Sequence, residues 1–138
     1  LKGFCYVNIV EIFLFYNGIM MKKITIAFIL ITSVSLAHAG EYVKRNGILS
    51  LSPRGEIAEF NINASHGDTS ICEVYGEAIS IGAEKGLRNQ WVYSDKESMC
   101  AVVISEQQNG TIQVITDKCD NYCGVSAIGA MDGKYKKK

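Results

Sequence analysis

The amino-acid sequence predicts an all-β protein, a small antiparallel barrel or sandwich of about six to eight strands that follows an N-terminal signal peptide. Three observations support this fold class. Apolar residues recur at every second position in several segments, turn-forming residues separate these segments at short intervals, and four cysteines follow the leader. We favour a small barrel over an open sheet, because a sheet of this size must close or cover its edge strands.

The first 39 residues are typical of targeting sequence rather than of a folded domain. Two lysines precede the apolar run Ile24–Leu36, and Ala37-His38-Ala39 follows it. A basic start, a short apolar stretch and an A-x-A site are the three parts of a secretory signal peptide. The apolar run is shorter than the roughly 20 residues of a membrane-spanning helix. We therefore predict a signal peptide over residues 20–39, interpret residues 1–19 as leader upstream of the true start, and expect no transmembrane anchor in the mature chain.

Residues 40–138 remain as one domain that contains four of the five cysteines. An even number of cysteines after a signal peptide indicates two disulfides formed in an oxidising compartment, so the protein is expected to be periplasmic or secreted. The candidates are Cys72, Cys100, Cys119 and Cys123. A local bridge between the last two would leave the first two to tie strands across the fold. Two other pairings are possible, and the spacing alone does not choose among the three.

The strand segments are short and contain mostly alternating apolar and polar residues, which indicates strands with one buried face. In chain order they are Leu49–Leu51, Ile57–Ala64, Cys72–Ser80, Trp91–Tyr93, Ala101–Ile104 and Ile112–Thr116. Asn109-Gly110 between the last two predicts a hairpin with a type I′ turn, because both residue types tolerate a positive φ. Ala83–Arg88 is the one stretch where a short helix is conceivable.

The mature chain is acidic apart from its C-terminal lysines. Gly40–Gly133 has 7 Lys and Arg against 13 Asp and Glu, a formal charge of 7 − 13 = −6. Such a charge favours cationic partners through long-range fields, although it also simply keeps a small domain soluble. The acidic body and the export signal both argue against nucleic-acid binding, and the C-terminal lysines are expected to form a solvated end.

No catalytic, cofactor-binding or metal site is predicted, so we expect a protein that is not an enzyme. His66 is the only histidine of the mature domain, and His66-Gly67-Asp68 has the composition of a turn. It lacks the nucleophile and orienting carboxylate of a triad and the second histidine typical of a metal site. Asp117, Asp120 and Asn121 do not have the spacing of a calcium-binding EF-hand, and a turn explains them better.

Four aromatic residues are candidates for a cluster. Trp91 and Tyr93 lie on one face of a predicted strand, and Tyr75 and Tyr122 are candidates to lie near them. Packing in the core is the ordinary role of such residues. A half-exposed cluster would instead be typical of a partner anchor.

Four segments carry a resemblance to a known family. They are Gly47–Leu51, Thr69–Ala78, Cys119–Gly124 and Met131–Tyr135. In these segments the chain resembles small periplasmic β-barrel proteins that are similar to bacterial lysozyme-inhibitor domains. The resemblance implies a secreted barrel with a structural disulfide.

The same resemblance implies a non-catalytic binding role, with a cationic cell-wall hydrolase or another protein as the partner. The inhibitor family has a functional Ser-Gly-x-x-Tyr motif, whereas this chain has Asp132-Gly133-Lys134-Tyr135, with Asp for Ser and one spacer residue fewer. Asp132, Lys134 and Tyr135 are thus the candidate partner contacts. The alternatives are an immunity protein against a delivered toxin and a structural or envelope-associated protein.

Overall fold

The computed structural model describes residues 39–138, and this part of the chain consists of eight β-strands and two short 3-10 helices. The strands are β1 (Gly40–Lys44), β2 (Gly47–Arg54), β3 (Ile57–Ser65), β4 (Ile71–Ser80), β5 (Leu87–Ser94), β6 (Ala101–Gln107), β7 (Ile112–Asp117) and β8 (Gly133–Lys137). The 3-10 helices are Asp120–Tyr122 and Val125–Ala127. Within the described residues, no helix has the length and apolarity needed to cross a membrane. The predicted leader and signal peptide lie outside the described residues, except for Ala39.

The eight strands form a closed antiparallel barrel. Each strand pairs with the next one along the chain, and β8 pairs with β1 through Lys137 opposite Tyr42 and Lys136 opposite Val43. Closure leaves no first or last strand exposed as a sheet edge. The predicted all-β fold is therefore confirmed, in its barrel form and with the largest strand number in the predicted range.

The barrel interior is the hydrophobic core, and the alternation of β3 shows how the sequence builds it. Every second residue of β3 is buried and the residues between them are exposed, apart from half-buried Ser65 at the strand end. The buried side chains are Ala58, Phe60, Ile62 and Ala64. Burying a large aliphatic or aromatic side chain contributes about 1.5–3 kcal/mol, so this face holds the strand against the core.

The Asn109-Gly110 hairpin forms, but not with the predicted type I′ turn. Gly110 has a φ of 84°, whereas Asn109 does not have a positive φ, and a type I′ turn requires both. The Gln107 amide donates to the Thr111 carbonyl oxygen at 2.8 Å, which leaves a three-residue loop. Such loops combine a type I turn with one left-handed residue, so only the glycine must leave the ordinary φ range.

The conceivable short helix over residues 83–88 is absent. Leu87 and Arg88 belong to β5, and the preceding connection is a loop closed by a hydrogen bond from the Leu87 amide to the Glu84 carbonyl oxygen. Gly86, with a φ of 92°, ends this turn in the left-handed region and so directs the chain into the strand.

The connections alternate between the two ends of the barrel, because neighbouring strands are antiparallel. The β1–β2, β3–β4, β5–β6 and β7–β8 connections lie at one end, which we call the loop end. The longest of them, residues 118–132 between β7 and β8, contains both 3-10 helices.

Two disulfides hold the loop end together. Cys72 pairs with Cys123, and Cys100 pairs with Cys119. The local bridge between Cys119 and Cys123 is therefore wrong, and one of the alternative pairings is correct. The 3-10 helix Asp120–Tyr122 turns the chain between these two cysteines, so that Cys123 faces the start of β4 while the Cys119 sulfur lies beside the start of β6.

Candidate functional site

The residues predicted for partner contact do not form a surface site together. Tyr135 is completely buried in the barrel, where its hydroxyl donates a hydrogen bond to the Met131 carbonyl oxygen at 2.7 Å. Burial, with a smaller contribution from the Asp132 carboxylate, raises the pKa of the Tyr135 phenol. A partner would reach this side chain only if the barrel opened, which corrects the contact role predicted for it.

Asp132 and Lys134 are exposed, but they are engaged differently. The Asp132 carboxylate accepts hydrogen bonds from the Thr116 amide (2.8 Å) and the Thr116 hydroxyl (2.7 Å), and so ties the segment before β8 to β7. Lys134 lies opposite Gln113 on β8, and its ammonium makes no hydrogen bond to another described residue. The contact roles of these two residues stay predictions.

An inward-facing lysine explains why this region is structural. Lys44 donates to the carbonyl oxygens of Ala130 (2.5 Å) and Asp132 (2.6 Å), and its Nζ lies 5.2 Å from the centre of the Tyr135 ring. Burial lowers the pKa of Lys44, and the Asp132 carboxylate opposes that shift. The ammonium thus fastens the β7–β8 connection to β1. This role could not be predicted from the sequence, because a lysine in a short strand is ordinarily a surface residue.

The outer surface of β3 and β4 carries a concentration of carboxylates around an exposed ring. Tyr75 is 70% exposed and lies opposite Asn61, while Glu59 lies directly opposite Glu77. Glu59 forms an ion pair with Arg54 at the end of β2. Glu73 and Glu77 have no cationic partner in the part of the chain that the structure describes. We call Tyr75, Asn61 and the three glutamates the acidic face.

A gap in the hydrogen bonding borders the acidic face. β4 and β5 pair at only two positions, Ile79 with Val92 and Ser80 with Trp91. The start of β4 is instead bridged to the β7–β8 connection beside a disulfide. Between these contacts, residues 73–78 have no strand partner on the β5 side. We call this gap the seam.

Tyr93 fills the inner side of the seam. Its ring lies against the α-carbon of Gly76, so that a Cβ at this position would lie 2.7 Å from a ring atom. The same ring contacts Phe60 edge to face, with ring centroids 5.3 Å apart. Glycine is required at position 76 because any side chain would collide with the tyrosine that packs there.

The Asp95 carboxylate accepts three hydrogen bonds from neutral donors at the rim of the seam. Its Oδ2 accepts from the Tyr122 hydroxyl and from the Ser98 hydroxyl, both at 2.6 Å, and its Oδ1 accepts from the Glu97 amide at 3.0 Å. These bonds, that of Ser98 foremost, lower the pKa of Asp95 to about 2. Burial, followed by a hydrogen bond with Tyr122, raises the pKa of the Tyr93 phenol. The rim therefore contains one permanent negative charge beside two phenols.

The aromatic residues divide between the core and the seam. Trp91 is buried in the core, while Tyr93 and Tyr122 are half-buried where their hydroxyls meet. Tyr75 lies on the outer side of β4, and it is the chain neighbour of Gly76, against which the Tyr93 ring packs. The structure therefore brings Tyr93 and Tyr122 together at the seam, leaves Tyr75 on the outer side of β4 and places the tryptophan in the core.

His66 lies in the exposed β3–β4 loop and joins two connections of the loop end. Its Nε2 donates to the Ile128 carbonyl oxygen at 2.9 Å. In the same loop, a hydrogen bond from the Ser126 hydroxyl is the main cause that lowers the pKa of Asp68. His66 therefore connects the β3–β4 loop to the β7–β8 connection, and this structural role agrees with the turn composition of His66-Gly67-Asp68.

Residues 39–138 contain no group of three His, Cys, Asp or Glu side chains placed to hold a metal ion. In comparisons with known proteins, no protein-family model, no curated protein and no solved structure matches the chain.

Proposed function

We propose that this protein is an exported, non-catalytic binding module that captures a cationic protein, in the manner of a lysozyme inhibitor. The observation that carries the proposal is the acidic face, in which three carboxylates surround an exposed tyrosine on a regular sheet. The partner class that fits best is a cationic cell-wall hydrolase. The protein would bind over the enzyme's cleft and block access to it, with no chemistry of its own.

Charge supports this choice of partner. The acidic face adds Glu73 and Glu77, which lack cationic partners within the described residues, to a domain that is acidic overall. Such a surface raises the association rate of a basic protein and selects against acidic ones. Both effects weaken as salt concentration rises.

Rigidity also supports a binding role. β3 and β4 pair without interruption from Ile57 opposite Ile79 to Ser65 opposite Ile71, so the carboxylates and Tyr75 are held at fixed spacing. Tyrosine is among the residues that most often dominate binding energy at interfaces, since it buries a large area with few rotatable bonds.

The loop end supplies a second contact region for a large partner. Val125 is 89% exposed and Met99 is 61% exposed. Met99 has a φ of 63°, a left-handed conformation that side-chain-bearing residues seldom adopt. The two disulfides fix the connections that carry these side chains, so a partner would meet a preformed surface.

The test is inhibition of cell-wall lysis by a panel of cationic muramidases. The processed, oxidised protein is expected to slow lysis, with a potency that falls as salt rises. The double variant Glu73→Lys with Glu77→Lys should lose more than about tenfold in potency, because like charges across an interface cost several kcal/mol.

The matched control is Glu56→Lys with Glu84→Lys. It changes the net charge equally, but both residues are exposed at the end of the barrel opposite the loop end. Inhibition that is lost equally in both variants would mean that only net charge matters. The absence of inhibition at micromolar protein across the panel would exclude the proposed activity.

A further inference from the structure

We propose that the seam is a binding site for an arginine side chain of the partner protein, in which the guanidinium lies against the tyrosines beside Asp95. This inference deepens the function proposed above, because it names the residue of the partner that the site recognises. It rests on three features of the seam: unpaired backbone acceptors, a carboxylate without a cation, and the phenol rings of two half-buried tyrosines and one exposed tyrosine.

The first feature is the direction of the β4 backbone. The Ser80 amide donates toward the start of β3, whereas the Ile81 amide donates to the Gln90 carbonyl oxygen on the β5 side. Residues with odd numbers in β4 therefore direct their N–H and C=O groups toward β5. Tyr75 and Glu77 have no β5 partner, so their carbonyl oxygens face the seam as free acceptors.

The second feature is the charge of Asp95. Three neutral donors occupy three of the roughly four acceptor positions of a carboxylate, and none of them neutralises its charge. No lysine or arginine forms an ion pair with Asp95 within residues 39–138. Asp95 directly follows the last residue of β5, and the hydrogen bond from the Tyr122 hydroxyl places its carboxylate at the rim of the seam.

The third feature is the arrangement of rings. The Tyr93 ring lines the seam from within, Tyr122 stands at its rim through the hydrogen bond to Asp95, and Tyr75 is exposed on the outer side. The face of a tyrosine ring attracts a cation. The Tyr122 hydroxyl donates its proton to the Asp95 carboxylate.

Arginine fits these features better than lysine. A guanidinium is planar, stacks on aromatic rings and has five donors in a fixed fork, so that it can reach a carbonyl oxygen and the carboxylate at the same time. An ammonium is compact and strongly hydrated, and it satisfies fewer acceptors that lie in a row. The seam ends at the β4–β5 pairs on one side and at the bridge at Cys72 on the other, so its unpaired acceptors are confined to residues 73–78.

The experiment titrates the processed, oxidised protein, recovered after export of the full chain, with N-acetyl-arginine amide. Nuclear magnetic resonance of the tyrosine rings should show saturable shifts at Tyr75, Tyr93 and Tyr122, with a dissociation constant on the order of millimolar. N-acetyl-citrulline amide has nearly the same shape without the charge and should give no saturable shift. N-acetyl-lysine amide should bind at least about fivefold more weakly.

Variants locate the site. Asp95→Asn and Tyr75→Ala should each weaken arginine binding at least about fivefold, whereas Glu84→Gln, which removes a carboxylate far from the seam, should not change it. The exposure of Tyr75 makes its variant safe for folding, and a spectrum with native dispersion will check this for Asp95→Asn. Equal shifts with citrulline, equal binding of lysine, or unchanged affinity in Asp95→Asn would each overturn the assignment.

The titration contains no hydrolase, so it can fail independently of the proposed function. Arginine binding without inhibition of any muramidase would keep this site and reject that partner class. Inhibition without arginine binding would keep the function and reject the seam as its recognition site.

Discussion

The two disulfides should contribute unequally to stability, because they close loops of different length. The sequence separation is 51 residues for Cys72–Cys123 and 19 residues for Cys100–Cys119. A cross-link stabilises mainly by reducing the entropy of the unfolded chain, and this effect grows with the logarithm of the loop length. At 25 °C the longer loop gives about 4 kcal/mol and the shorter one about 3 kcal/mol.

The perturbation is a pair of double variants, Cys72→Ala with Cys123→Ala and Cys100→Ala with Cys119→Ala. The first should lose about 1 kcal/mol more of the free energy of unfolding than the second. Packing alone favours the opposite order, since Cys119 is buried and Cys123 is only partly buried. The order of the two losses therefore separates loop entropy from core packing.

The assay is urea unfolding of the oxidised wild-type protein and both variants, followed by circular dichroism and by the fluorescence of buried Trp91. Both losses are large fractions of the roughly 5–15 kcal/mol that stabilises a domain, so both variants should unfold at clearly lower urea. Equal losses, or a larger loss in the Cys100–Cys119 variant, would refute the loop-entropy reasoning. A peptide cross-linked through Cys119 and Cys123 in a digest of the wild type would refute the pairing itself.

Three further predictions concern single side chains. Tyr135→Phe leaves the Met131 carbonyl oxygen without its buried donor and should lower the free energy of unfolding by about 1–3 kcal/mol; urea unfolding measures this, and a loss below about 0.5 kcal/mol would contradict it. Asp95 has a pKa of about 2 in the folded protein against an ordinary value of 3.8, so the stability it contributes is present above about pH 4 and lost as the pH falls toward 2. Asp95→Asn should flatten the pH dependence of unfolding in that window, and an equally steep curve would count against the assignment. Glu77→Lys replaces a like-charge pair with Glu59 by an opposite-charge pair and should raise the free energy of unfolding by about 0.2–1 kcal/mol; a lower urea midpoint for this variant would show that the carboxylate stabilises the sheet.

The alternation of the sequence was enough to predict the all-β fold, because it encodes local geometry, whereas the choice of a barrel over a sandwich rested on the need to cover edge strands. In Ile57–Ala64 and Cys72–Ser80, apolar residues at every second position fixed which side of each strand faces the core, and the structure follows that pattern. The same pattern placed Glu73 and Glu77 on the outer side of β4.

Neither the disulfide pairing nor the inward orientation of Lys44 could be predicted from the sequence, because both depend on contacts between residues far apart along the chain. Spacing left a local bridge between Cys119 and Cys123 and two other pairings open, whereas in the structure the intervening 3-10 helix directs the two cysteines to different strands. Lys44 faces inward because its ammonium meets two carbonyl oxygens in the β7–β8 connection, and the nearer of these is 86 residues away along the chain. No periodicity in β1 indicates such a partner.

The seam was missed for a related reason. The alternation of β4 and β5 predicts two ordinary neighbouring strands, and it contains no sign that they separate after two paired positions. Gly76 was the available signal. A glycine at an inward position of a strand indicates close approach by another group, here the ring of Tyr93.

Two of the three carboxylates of the acidic face, Glu73 and Glu77, form no ion pair within the described residues, and this supports the binding role proposed for them. Glu59 and Glu77 lie directly opposite each other, an arrangement that destabilises a sheet, and Glu77 has no cationic partner in the described residues. Solubility alone would be provided equally well by scattered charges, and it would not require an exposed tyrosine between them. A surface that lowers the stability of its own sheet while exposing an aromatic ring is expected where a cationic partner neutralises the charge and covers the ring.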